Sequence, residues 1–68
     1  MFPLYVIYRF PSDYPEHFVV RCWYGPVPDQ EPFCLAPTLE AARAALPPGL
    51  AHLARDPNDD PAIAEVWI

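Results

Sequence analysis

The stretch Pro37-Thr38-Leu39-Glu40-Ala41-Ala42-Arg43-Ala44-Ala45-Leu46-Pro47-Pro48-Gly49 carries both a helix start and a helix stop. Thr38 suits the N-cap, because its hydroxyl can accept from a first-turn amide that would otherwise lack a partner. The residues that follow are mostly Ala and Leu, strong helix formers, and none is β-branched. Pro47 and Pro48 remove two backbone donors and force the chain out of helix, and Gly49 suits a left-handed turn beyond them. Leu39, Ala42 and Leu46 recur at i, i+3 and i+7 and form one apolar stripe. Glu40 and Arg43, three apart, are expected on the opposite side, pairing in water for a few tenths of a kcal/mol, roughly. A helix over 38–46 with so narrow an apolar face must lie on a sheet.

The flanking sequence supplies one. Residues 4–10 and 17–24 are rich in β-branched and aromatic types, with turn chemistry between them at Pro11-Ser12-Asp13-Tyr14-Pro15, and they predict an antiparallel hairpin. Residues 25–32 hold three prolines, a glycine and two acids and predict a loop. Phe33-Cys34-Leu35-Ala36 is long enough for a short third strand. Residues 49–54 predict a loose turn with its leucines under the sheet, and 55–61 a polar loop. The chain closes in a strand over 62–68. The expected fold is one α+β domain over 1–68. Its sheet is small and mainly antiparallel, with three to four strands in the order β-β-(β)-α-β along the chain, and one helix packs on one face. The last strand is expected beside the first, and any short third strand at an edge.

Alternation divides each strand between two faces. Taking the uncharged set each time places Leu4, Val6, Tyr8, Phe10, Phe18, Val20, Cys22, Tyr24, Ala64, Val66 and Ile68 under the helix. The other face then gathers Tyr5, Ile7, Arg9, His17, Val19, Arg21, Trp23, Ile63, Glu65 and Trp67, with Glu65 in reach of Arg9 or Arg21. Aromatics beside arginine are typical of interface hot spots. Tyr5, Arg9, Arg21, Trp23, Glu65 and Trp67 are therefore the candidate interaction surface. The plainer alternative is a salt-bridged, solvated face of little energetic weight.

Composition narrows the function. Nine acidic residues face four arginines and no lysine, for a net charge of −5, which disfavours binding to nucleic-acid phosphates. No run approaches the ~20 apolar residues of a membrane helix, and no basic-then-apolar leader is visible at the N-terminus, so the cytosol is the expected compartment. Cys22 and Cys34 form no CxxC motif and are expected as free thiols, Cys22 buried. The spacings of His17, His52, Cys22 and Cys34 match no zinc signature. Asp56-x-Asn58-x-Asp60 departs from a calcium loop, with Pro61 where that loop needs Gly and Trp67 where it needs Glu. No cofactor is expected. Ser12 and Thr38 are the only hydroxyl nucleophiles besides the tyrosines, and neither has a catalytic context. The absence of lysine, the 11 prolines and the Ala-rich helix fit a GC-rich bacterial or phage genome.

Taken together, Pro11-Ser12-Asp13-Tyr14-Pro15, Leu39-Glu40-Ala41-Ala42-Arg43, Leu46-Pro47-Pro48-Gly49-Leu50, and Asn58-Asp59-Asp60-Pro61 followed by Glu65-Val66-Trp67-Ile68 resemble a group of small uncharacterised proteins of bacteria and their phages. The resemblance spans nearly the whole chain and implies no activity, cofactor or site. The sequence favours a non-enzymatic module that binds a protein partner or itself through the sheet face away from the helix. A phage-derived inhibitor or regulatory accessory protein comes second, and a small enzyme with a cysteine nucleophile a distant third.

Overall fold

A computed structural model describes residues 3–53 and 61–68. The polar loop expected over 55–61 and the Asp56-Asn58-Asp60 triplet fall almost wholly outside the described residues. The elements in chain order are β1 (Pro3–Arg9), β2 (Phe18–Tyr24), β3 (Val27–Pro28), β4 (Cys34–Ala36), α1 (Leu39–Ala44), β5 (His52–Leu53) and β6 (Ile63–Trp67). The sheet runs β3-β2-β1-β6-β5, and β4 pairs with β2 on the same edge as β3. All pairings are antiparallel.

The α+β class and the central order of second, first and last strands agree with the sequence reading. The strand count does not: the sheet has six strands, not three to four. Both additions are two-residue strands, too short for alternation to show. β3 forms where Gly25, at φ 64, folds Val27 and Pro28 back onto Tyr24 and Trp23. β5 forms where residues 52–53 pair with Trp67 and Val66, extended by reciprocal backbone bonds between Ala51 and Ile68. The expected loose turn is thus an edge strand, and Leu53, expected beneath the sheet, is 40% exposed.

The helix matches its sequence signals. The Thr38 hydroxyl accepts from the Ala41 amide at 3.1 Å, and Gly49 adopts φ 85 after the two prolines. Ala42 is fully buried, and Leu39, Ala41 and Leu46 pack on Ile7, Phe18, Val20 and Ala36. The hairpin loop is closed by the Phe10 amide donating to the His17 carbonyl at 3.0 Å. Phe10 holds a positive φ of 47, a strained choice for a bulky side chain. Its ring meets Phe18 with centroids 4.9 Å apart.

The registers show which residues share a face, because directly opposed residues point the same way. Tyr5 faces Cys22 and Trp67, Ile7 faces Val20 and Glu65, and Arg9 faces Phe18. All of these lie on the helix side. Leu4, Val6 and Tyr8 lie on the other face with Trp23, Arg21, Val19 and Val66. The assignment made from alternation is therefore correct for β2 and inverted for β1 and for Glu65, Trp67 and Val66 of β6. A bulge between Ile7 and Tyr8 adds a further change: it pairs Tyr8 with Ile63 and takes Ile63 off the face that holds Glu65.

Candidate interaction surface

The six residues expected on one face are divided by the sheet. Tyr5, Arg9, Glu65 and Trp67 lie on the helix side, and Arg21 and Trp23 lie on the open side. Each group has a distinct chemistry.

On the helix side, Glu65 is buried with a side chain 7% exposed. Its partner is neither Arg9 nor Arg21 but Arg43 of the helix. Arg43 Nε donates to Oε1 at 2.8 Å and Nη2 donates to Oε2. The Trp67 indole N–H adds a third donor to Oε1 at 3.1 Å. His52 stacks on Trp67 with ring centroids 4.8 Å apart and brings Nε2 to 3.9 Å from Oε2. The expected surface pair between Glu40 and Arg43 gives way to this one, because a fork of two parallel N–H donors fits a carboxylate far better than an exposed i,i+3 contact does. The hydrogen bonds from Arg43 hold the Glu65 carboxyl below the usual range despite burial, which pushes the other way. The same bond raises the Arg43 guanidinium. Three donors from two side chains hold this carboxylate. The cluster is a fastener between helix and sheet.

Tyr5 packs edge-on against Phe33, with centroids 5.3 Å apart. Burial and the neighbouring Cys22 raise its phenol above the ordinary value, and a hydrogen bond with Cys22 raises that of Tyr24. Cys22 is buried, and both cysteines are free thiols, as expected. Cys34 stands opposite Val20, diagonal to Cys22 on the same face, and its Sγ donates to the Leu35 carbonyl at 3.6 Å. His52, meanwhile, is engaged with Glu65 and Trp67. Among the described residues no three His, Cys, Asp or Glu side chains converge as a metal site would need. Arg9 lies at the end of the face with its guanidinium carbon 5.9 Å from the Phe18 ring centre.

On the open side, Arg21 is also taken up internally. Its Nη1 donates to the carbonyls of Asp29 at 2.8 Å and Gln30 at 3.3 Å. Its Nη2 reaches Asp13 Oδ2 at 3.5 Å. One side chain thus ties the hairpin loop to the loop after β3. Beyond it lies a shallow groove of about 340 Å³, lined by Leu4, Val6, Tyr8, Trp23, Leu53, Ile63 and Val66. None of these carries a charge at neutral pH. The two tryptophans differ in a telling way: Trp67 donates to Glu65, whereas the buried Trp23 indole nitrogen has no acceptor among the described residues.

Of the candidate residues, only Trp23 lines this groove. Leu4, Val6, Tyr8 and Val66 were missed because alternation put them beneath the helix. The available signal was Glu65 itself: a strand carboxylate across from a helix whose single cation is Arg43 invites a buried pair. No protein-family model, curated protein or solved structure matches the chain. No helix among the described residues is long and apolar enough to cross a membrane.

Proposed function

We propose that the protein is a binding module whose working surface is the open face of the sheet, with another protein surface as its ligand. The observation that carries this reading is the groove whose described lining residues, Leu4, Val6, Tyr8, Trp23, Leu53, Ile63 and Val66, are all uncharged. A contiguous apolar depression on so small a chain is the kind of surface that partners cover. One sheet edge supports the same choice. β3 contains Pro28, and Pro32 and Pro37 flank β4, so a strand adding to that edge meets missing donors and rigid backbone. Association through that edge is disfavoured.

Site-specific photo-crosslinking in the native host tests this. A photoreactive phenylalanine at position 53, beside the groove, should give a discrete protein adduct. The same probe at position 27, on the far edge, should not. No adduct from position 53, or equal adducts from both, would remove the reading.

A further inference from the structure

The geometry points to a two-coordinate site for a soft monovalent cation, Cu(I) in class, formed by the Cys22 and Cys34 thiols on the helix side of the sheet. The site lies where β2 meets β4, at the opposite end of the sheet from β5, and is independent of the groove.

Placement comes first. Both cysteines are free. Cys34 pairs with Val20, and Cys22 stands two residues along β2 from Val20, so the two side chains share a face across a diagonal. Diagonal neighbours lie ~7–8 Å apart, beyond the ~4.4–6.8 Å between Cα atoms that a disulfide spans. An ion between two thiolates asks for more room. Its sulfurs stand roughly 4.6 Å apart, twice a ~2.3 Å metal–thiolate bond, against ~2 Å in a disulfide. The ladder is interrupted at the same point. The Asp29 amide donates to the Cys22 carbonyl at 2.9 Å and the Phe33 amide to the Val20 carbonyl at 2.7 Å, with residues 30–32 belonging to neither strand.

Two phenols attend Cys22, which is itself buried. Tyr5 is directly opposed to it, and Tyr24 shares its face two residues on. Burial and then Cys22 hold the Tyr5 phenol above its ordinary value, and a hydrogen bond with Cys22 is the main cause for Tyr24. Both phenols therefore stay protonated as donors. A neutral thiol is a weak acceptor, whereas a sulfur that has given up its proton to a metal is held in place by such donors. Cys34, only partly buried, gives the ion its way in.

Ligand type and number select the ion. Thiolates suit Cu(I), zinc and iron–sulfur clusters. Zinc and the clusters take four ligands, and among the described residues no third His, Cys, Asp or Glu joins the pair. Two thiolates complete a linear Cu(I) site. Each thiol loses its proton on binding, so one Cu(I) enters as two protons leave, and copper keeps its oxidation state.

Anaerobic titration with Cu(I), supplied as its acetonitrile complex and competed by bicinchoninate, decides the matter. The wild type should bind one ion per 7.7 kDa chain and release two protons, and X-ray absorption should show two sulfur neighbours. Cys34→Ser, at the more accessible position, should weaken uptake by more than about a hundredfold, because a single thiolate remains. Tyr24→Phe keeps the ring and should weaken uptake roughly tenfold by removing one donor. Cys22→Ser should match Cys34→Ser; should it fail to fold, Cys34→Ser and the absorption spectrum suffice. No uptake against bicinchoninate, a nitrogen or oxygen neighbour on copper, or a Cys34→Ser chain that binds as the wild type does overturns the inference. One ion shared by two chains through Cys34, read as a doubled mass in sedimentation, overturns it too. So does ready closure of a Cys22–Cys34 disulfide by dilute peroxide in the metal-free chain, which would bring the sulfurs closer than this site allows.

Discussion

Replacing Arg43 by Met tests the fastener between helix and sheet most directly. Methionine keeps the unbranched stem but removes both donors to Glu65. The two partners are not equivalent: the Arg43 side chain is 46% exposed, that of Glu65 only 7%. Without Arg43, the carboxylate stays buried with the Trp67 indole as its remaining close donor. Breaking a fully buried pair by removing one partner costs ~3–5 kcal/mol. The retained indole bond and the access that water gains beside position 43 bring the expected cost of stranding Glu65 to about 2–3 kcal/mol. For a domain of this size, Tm should fall by roughly 10–20 °C. Glu65→Gln strands no charge, because Arg43 can turn to water, so its penalty should be the smaller of the two.

The pH dependence gives a sign that mere loss of packing would not. In the wild type Arg43 holds the Glu65 carboxyl below its unfolded value. Its contribution to stability is therefore full above the unfolded value and is lost as pH falls through the lower native one. In Arg43→Met the main lowering cause is gone and burial raises the carboxyl. Protonation then costs the native state less than in the wild type, so the variant loses less stability as pH falls. Urea titrations at pH 7 and pH 4 should show the gap between wild type and variant narrowing at the lower pH. A gap of constant size, or a Tm within about 3 °C of wild type at pH 7, would refute the reasoning.

Three further substitutions probe other joints. Thr38→Ala removes the acceptor for the Ala41 amide and should cost about 1 kcal/mol, read as a lower urea midpoint with unchanged slope. Ala42→Leu forces a large side chain into a position with no exposure and should cost ~1–3 kcal/mol, with loss of near-ultraviolet circular dichroism if the helix lifts. Gly49→Ala meets no atom within 4 Å of the added carbon, yet φ is +85. Its cost should be about 1 kcal/mol of backbone strain alone, and Gly49→Asn should recover part of it in the same urea assay.

The helix and the three long strands were legible because each carries its own local grammar. Thr38 and the paired prolines bound α1, and Pro3, Pro11 and the β-branched runs bound β1 and β2. The short strand β4 was legible at Cys34–Ala36, but the two-residue strands were not, since two residues have no period. β3 and β5 exist because neighbours hold them in register, a tertiary effect that propensity does not report. Face assignment failed for a related reason. β1 is apolar on both sides, with Leu4, Val6 and Tyr8 as hydrophobic as Tyr5 and Ile7, so alternation there offers two equally good answers. Only a partner strand can choose, and β6 chooses through Glu65.

That choice runs against the rule that sends charge to water. Burying Glu65 is tolerable only because Arg43 arrives from the helix with two donors and Trp67 stands two residues along the strand with a third. Arg21 follows the same logic on the other face, with its guanidinium turned to loop carbonyls and Asp13. Two of the four arginines thus close the fold. The charged and aromatic hot spot suggested by composition is dismantled, and the described residues that line the groove on the other face are uncharged. Trp23 and Tyr8 give the groove its ring surfaces, and the charged pair described on that side, Arg21 and Asp13, is bonded within the chain.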